Sequence, residues 1–331
     1  MSKLNLVTDI QGVSVGHATD LALGSGVTAI VFDDLSTASV TVRGGAPAGR
    51  NLGMLDLEAT YEKVDAIILS GGSGYGLDAG TGAQAALREM GRGMVFAGIV
   101  LPVAPVAILF DLLNGGDKDW GRYPPYRELG FDAVMAAAKG SFALGSVGAG
   151  TGATTATLKG GLGSASAMTS NGHMVSAVVA VNAVGTATVG DGPHFWAAPF
   201  EIDGEFGGLG MPARFDTRLR TKGGTPPLPA TTIGCVVTDV ALTKPQCRRL
   251  AIMADDGLAR AVLPAHAPTD GDTVFAVSAG GRALADPVRE LTELGHVAGM
   301  VMARAIARGV YAATRLPYPP SLAAWRDRFG G

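Results

Sequence analysis

Cysteine is scarce: the 331 residues hold two, Cys235 and Cys247. Two are too few for a disulfide framework, which points to a reducing compartment. Cys235 lies in a strand-like apolar stretch and Cys247 in a helical one, and both read as inert. Charge is thin as well. Charged residues make up 17%, the net charge is −3, and no Lys/Arg run exceeds two. A nucleic-acid binder should carry a basic stripe, so no nucleic-acid partner is expected. Long apolar runs are missing. The longest, Met94 to Phe110, is interrupted by Pro102 and Pro105 and falls short of the roughly 20 residues of a membrane span. It reads as a buried strand plus loop. The first nine residues have no apolar h-region and no small-residue cleavage site, so no signal peptide is read. A soluble cytoplasmic protein without a membrane partner is the expectation. His17, His173, His194, His266 and His296 show neither H-x-x-x-H nor H-E-x-x-H spacing, which argues against a zinc site. No Gly-Lys-Ser/Thr completes a P-loop, and no cofactor is expected.

Glycine, by contrast, is abundant: 49 residues, about 15% and twice average usage. No G-X-Y period accompanies it, which excludes collagen. Apolar residues make up 47%, enough for a large core, and length allows two domains or one large one. Short β-branched runs at 27–32, 66–69, 175–181, 232–238 and 273–277 read as buried strands. Their continuous apolar character suggests sheets covered on both faces. Helical patterns lie between them. Leu77 to Met90 ends at Gly91, a C-cap glycine. Thr243-Lys-Pro-Gln246 has the form of a capping box, and Asp286-Pro287 opens a pattern that runs to about Ala313. The fold class is layered α/β. Asp203 to Ala230 differs, with six Gly and four Pro and little periodicity. It reads as a long surface loop or linker, of a length that is often functional or cleavable.

Four motifs carry candidate chemistry. Ser70-Gly-Gly-Ser-Gly-Tyr-Gly76 follows a strand and precedes a helix, and Gly74-x-Gly76-x-x-Ala79 loosely fits a dinucleotide fingerprint. No acidic residue follows about 20 positions later to bind a ribose, so a structural glycine turn is favoured. Gly148-Ala-Gly-Thr-Gly152 with Lys159-Gly-Gly-Leu-Gly-Ser-Ala-Ser166 admits two readings, close backbone packing or a site wall with Lys159 as its charge. Asp270-Gly-Asp272 suits a turn. Paired acids can also orient an amine or share a proton. Thr231-Thr232 starts a strand directly after the long linker. A Thr that follows a scissile bond can become an N-terminal nucleophile, with its own α-amine (unperturbed pKa about 7.7–8.0) as general base. That chemistry needs no His and no metal.

Ala230-Thr-Thr-Ile-Gly-Cys-Val-Val-Thr-Asp239 resembles the nucleophile segment of the family that contains L-aminopeptidase/D-alanyl esterase-amidase, β-peptidyl aminopeptidases and 6-aminohexanoate-oligomer hydrolase. Arg248-Arg-Leu-Ala-Ile252 and Asp256-Gly-Leu-Ala-Arg260 are similar to it too, and Pro264-Ala-His-Ala-Pro-Thr-Asp-Gly-Asp-Thr-Val-Phe-Ala276 resembles its acidic motif. Thr8-Asp-Ile-x-Gly-Val-x-Val-Gly-His17, Arg43-Gly-Gly-Ala-Pro47, Leu69-Ser-Gly-Gly-Ser73 and Lys159-Gly-Gly-Leu-Gly163 match in the same order, so the resemblance covers almost the whole chain. It implies an αββα sandwich resembling N-terminal nucleophile hydrolases, formed by residues 1–331 as a single domain. It implies self-cleavage between Ala230 and Thr231, giving a large chain 1–230 and a small chain 231–331. Thr231 would then attack amide bonds of short peptides, D-aminoacyl amides or ω-amino-acid oligomers through an acyl-enzyme. Asn182 would serve as an oxyanion donor. Asp270 and Asp272 would hold the Thr231 ammonium, and Lys159 would be a second cation. Tyr75 and Phe110 are substrate-binding candidates, with Phe110 standing where the nylon-oligomer enzyme has Tyr. Family members are homo-oligomers, which implies a tetramer or larger. Two rival readings stand beside this one: an uncleaved, non-catalytic ligand binder of the same fold, motivated by Ala230 before the nucleophile, and a nucleotide-binding oxidoreductase, resting on Gly74-x-Gly76-x-x-Ala79 alone.

Overall fold

The computed structural model describes residues 4–224 and 226–330. Its strands are β1 (Val13–Asp20), β2 (Ser25–Val42), β3 (Gly49–Arg50), β4 (Lys63–Ser70), β5 (Met94–Phe96), β6 (Ile99–Leu101), β7 (Val106–Ile108), β8 (Gly161–Met168), β9 (Met174–Asn182), β10 (Thr231–Val240) and β11 (Thr273–Arg282). The α-helices are α1 (Ala79–Glu89), α2 (Tyr126–Met135), α3 (Lys244–Ala261), α4 (Pro287–Tyr311) and α5 (Trp325–Phe329). Nine strands hydrogen-bond in the order β3-β7-β4-β2-β11-β10-β9-β8, with β1 also paired to β2.

The 18-residue β2 sets the architecture. Its first half pairs with β1 and β4 and its last residues pair with β11, with a register shift between Val31 and Ser36. Such an irregularity bends a strand, so β2 serves two layers. One half-sheet buries Ala29, Val31, Ala66 and Ile68 against Ala83 and Leu87 of α1 and Tyr126 of α2. The opposite faces meet in the middle, where Ile30, Phe32, Ile67 and Leu69 join Val178, Ile233, Cys235, Val237 and Phe275. The outer face of the second half-sheet packs Val179, Val236 and Ala276 on Leu250 and Leu258 of α3 and Val301, Met302 and Ile306 of α4. This is α-β-β-α layering. It explains why the strands read as unbroken apolar runs: both faces are covered. Residues alternate along β10, with Ile233, Cys235 and Val237 in the central seam and Val236 and Val240 toward the helices. Burial of both cysteines pushes their thiols up, Cys247 to about 12.

The local signals hold. Thr243 caps α3 reciprocally with Gln246, Asp286 accepts from Arg289 N at the start of α4, and Gly91 takes φ +68° after α1. Two expectations need correction. Only the second half of the 94–110 run is buried. β5 and β6 form a hairpin turning at Gly98 (φ +81°) that leaves Val95, Phe96 and Ile99 exposed, and Pro102 follows it before the buried β7. The described residues of the 203–230 segment form neither helix nor strand, yet they are no simple surface loop. Phe206 enters the outer core, Glu205 accepts from Arg304 and Lys222 is buried. Among the described residues, no helix is long and apolar enough to cross a membrane.

Candidate functional site

The site gathers at the N-terminal end of β10. Thr231 pairs with Asn182 across the antiparallel β9–β10 ladder. Directly opposed residues put their side chains on one face, with Cβ atoms about 5 Å apart. On the other side, the loop before β11 brings Asp270 level with Ala230 in a parallel bridge. Ala230 N donates to Thr269 O at 3.2 Å, and Gly271 N donates to Ala230 O at 3.2 Å. The Thr231 hydroxyl also donates to Ala230 O. The 230–231 peptide therefore has a hydroxyl beside its carbonyl and an N–H on the carbonyl oxygen, the arrangement that could stabilise charge there if the hydroxyl attacked. Thr231 is 3% exposed, which keeps bulk water away from that hydroxyl.

Gly271 is dictated by this crowding. A Cβ there would lie 2.7 Å from Thr231 Oγ1 and 2.8 Å from Ala46 O. Gly271→Ala is expected to displace the hydroxyl and slow any reaction at residue 231 about 100-fold, the order seen for misplacement of about 1 Å. A time course of chain cleavage by gel checks this, and a wild-type rate would contradict it.

Two acids flank Gly271, each held by main chain. Asp270 accepts from Val184 N and Ala267 N, both at 3.1 Å. Burial first, and then the charge of Asp272, pushes its carboxyl up to about 7, against the two N–H bonds and Lys222. Asp272 accepts from Thr232 N at 2.7 Å and from His266 N at 3.1 Å, and His266 Nδ1 lies 2.9 Å from the same carboxylate. His266 Nε2 stands 3.4 Å from Asp255 on α3. Burial opposes charge on His266, but its bond to Asp272 and the charges of Asp255, Asp272 and Asp270 outweigh burial and raise its pKa. Burial lifts Asp255 to about 6.

Asn182 is fully buried and its amide is pinned at both ends. Nδ2 donates to Phe110 O at 2.8 Å, while Oδ1 accepts from Thr154 N at 3.0 Å and Lys222 Nζ at 2.8 Å. One Nδ2 hydrogen stays available for a second acceptor. Beside it opens a cavity of about 210 Å³ whose walls include Phe110, Asp111, Thr154, Lys222, Leu228 and Pro229.

Of the residues expected at the site, Thr231, Asn182, Asp270 and Asp272 come together around Ala230, and Phe110 lines the cavity. Lys159 is buried behind it, donating to the carbonyls of Gly150, Ala153 and Gly160. Burial lowers its pKa to about 7, against the charge of Asp111. The glycines around it serve packing as well: a Cβ on Gly163 would fall 1.8 Å from Ala305 O. Tyr75 lies outside the cavity wall, 53% exposed, with its ring 5.2 Å from Trp120. The glycine turn before it is structural. Gly72, at φ +85°, donates to Asp111 at 2.7 Å, and a Cβ there would meet Tyr126. Two site residues escaped sequence reasoning. His266 stands inside the acidic motif, four residues before Asp270, and that proximity was its only signal. Lys222 is one cation in an irregular segment, and nothing in its pattern marks it.

The profile of peptidase family S58 matches residues 5–319. An uncharacterized aminopeptidase of Mycobacterium tuberculosis is 38% identical over 352 aligned positions, covering 99% of each chain. A 6-aminohexanoate-oligomer endohydrolase of Paenarthrobacter ureafaciens is 30% identical, over 82% of this chain and 74% of its own. Among solved structures, a Burkholderia β-aminopeptidase superposes with a TM-score of 0.72 at 21% identity, covering 99% of this chain and 92% of that one. The L-aminopeptidase D-Ala-esterase/amidase of Ochrobactrum anthropi, described as a new variant among the Ntn hydrolase fold, gives 0.69 at 20% identity, over 97% and 90%. The sandwich is thus the Ntn-hydrolase fold, and the chain belongs to peptidase family S58, an amide-bond hydrolase of the aminopeptidase/amidase type.

Proposed function

We propose that the protein is a self-processing N-terminal threonine hydrolase, cut between Ala230 and Thr231. The observation that carries this is the scissile geometry: the Thr231 hydroxyl touches the Ala230 carbonyl, whose oxygen accepts an N–H from Gly271 at 3.2 Å. Oγ1 attacks the Ala230 carbon, and the oxyanion forms facing Gly271 N. The C–N bond then breaks, the hydroxyl proton ends on the leaving nitrogen, and Ala230 becomes an ester on Thr231. Water hydrolyses the ester, leaving an Ala230 carboxylate and a Thr231 that carries both amine and hydroxyl.

The matured Thr231 repeats the attack on external amides, its amine acting as base and later as acid to the leaving group. Asn182 supplies the oxyanion donor. Asp270 and Asp272 hold the new ammonium, and Lys159 contributes positive potential from behind. Apolar walls at Phe110, Leu113, Leu228 and Leu322 suit a short apolar acyl group. The substrates of this reading are short peptides, D-aminoacyl amides or ω-amino-acid oligomers, in line with the names its relatives carry. The working form is taken to be a cytoplasmic homo-oligomer of four or more chains, for which the exposed Val95, Phe96 and Ile99 offer an apolar contact. The test is to mix the protein with L- and D-alanine p-nitroanilides and 6-aminohexanoate oligomers, quench in acid and map the adduct. An acyl mass on the peptide starting at Thr231 is expected. Turnover with the adduct elsewhere would overturn the assignment.

A further inference from the structure

Lys222 stands nine positions before Thr231, in a segment without regular structure, yet it is 9% exposed and walls the cavity. Its main chain is tied to the site. Lys222 N donates to Val184 O at 2.8 Å, and Val184 N in turn donates to Asp270 at 3.1 Å. Leu228 N returns to Lys222 O at 2.9 Å, closing the chain back toward Ala230. Its side chain donates to Asn182 Oδ1 at 2.8 Å. A buried ammonium is costly unless paired and hydrogen-bonded. Burial lowers its pKa to about 7, with Asp270 and Asp111 opposing that shift and Lys159 adding to it.

We infer that Lys222 is a positioning residue that acts through Asn182, so that the linker's end is a lasting part of the site rather than a spacer. The inference rests on the reading of Thr231 as nucleophile and Asn182 as oxyanion donor. An Asn amide has a donor end and an acceptor end, and only the observed orientation, in which Nδ2 donates to Phe110 O at 2.8 Å, leaves an N–H on that side for an oxyanion. Thr154 N and Lys222 Nζ both donate to the same oxygen, so a flip would set an NH2 group against two donors. In its protonated form Lys222 also polarises the amide and strengthens its remaining N–H as a donor. Thr154 N alone leaves the second lone pair of Oδ1 without a donor and the amide free to rock. Outer partners that fix a reacting group's orientation typically change activity 10–100-fold where measured at metal sites, and an effect of that order is expected here.

The experiment is a cycle of Lys222→Met, Asn182→Ala and the double variant. Self-cleavage is followed by gel after cell-free synthesis, and hydrolysis of alanine p-nitroanilides is followed on whatever matures, each beside a urea melt. Lys222→Met alone is expected to slow anilide hydrolysis, the reaction assigned to Asn182 as oxyanion donor, about 10–100-fold, and to slow self-cleavage less, because that oxyanion faces Gly271 N. In the Asn182→Ala background it is expected to change hydrolysis less than about twofold, because its target is gone. Multiplication of the two losses, or a wild-type rate in folded Lys222→Met, overturns the inference. So does an Asn182→Ala protein that reacts normally. Should Lys222→Met fail to fold, Lys222→Gln takes its place under the same criteria. A wild type that neither cleaves nor turns over the anilides would refute the nucleophile reading itself. A wild type that turns over the anilides while matured Lys222→Met matches it refutes the role of Lys222 alone.

Discussion

Thr231→Ala is expected to stay one 33.5 kDa chain and to lose amide hydrolysis by at least about a thousandfold. The variant removes the hydroxyl that sits against the Ala230 carbonyl. It should fold normally. The hydroxyl donates to Ala230 O, and its loss together with that of the buried γ-methyl costs about 1–3 kcal/mol. A modestly lowered urea midpoint with an uncut chain is therefore the expected pair of results. Thr231→Ser keeps an oxygen in place and is expected to cut, more slowly because its χ1 is freer than that of a β-branched residue. Cleavage of the Ala variant would show that another group does the chemistry.

The second large effect falls on stability. Asp272 is 1% exposed and is shared by Thr232 N, His266 N and His266 Nδ1. Asp272→Ala leaves all three without their acceptor and strands His266 beside Asp255 alone. Breaking a buried pair by removing one partner costs about 3–5 kcal/mol. That is a large part of the 5–15 kcal/mol available to a typical domain. Thr232 N is the main-chain group next to Thr231, so its release should also blur the position of that hydroxyl and, on the proposed reading, stop cleavage. Asp272→Asn keeps an oxygen for one donor and is expected to lose less. The urea midpoints of the two variants order these costs. An Asp272→Ala midpoint within about 1 kcal/mol of wild type would contradict the burial argument.

Much of the frame is legible in the sequence. The β-branched runs became β2, β4, β9, β10 and β11, and capping chemistry at Thr243 and Asp286 placed the starts of α3 and α4. These signals are local, and the structure obeys them because both faces of the strands are covered. The layering came from the resemblance of the motifs rather than from periodicity. What periodicity could not show is where the 94–110 run divides into an exposed hairpin and a buried strand, since the same apolar residues serve either. At the site, Thr231, Asp270 and Asp272 are legible because each belongs to a motif with fixed neighbours, and Asn182 through the family resemblance alone. Lys222 is not, because its meaning lies in a contact with Asn182 across 40 positions of irregular chain. His266 looked like one isolated histidine until the chain turned it between Asp255 and Asp272. Tyr75, a substrate-binding candidate by resemblance, lies in the 3-10 helix Ser73–Asp78 and packs on Trp120, outside the cavity wall.

The central claim is that Thr231 becomes a chain terminus. Intact mass of the purified protein, followed by N-terminal sequencing of any smaller fragment, tests it most directly. The account predicts two chains, the smaller beginning Thr231-Thr-Ile-Gly. A single uncut mass that persists through long incubation while the protein still hydrolyses amides would contradict it.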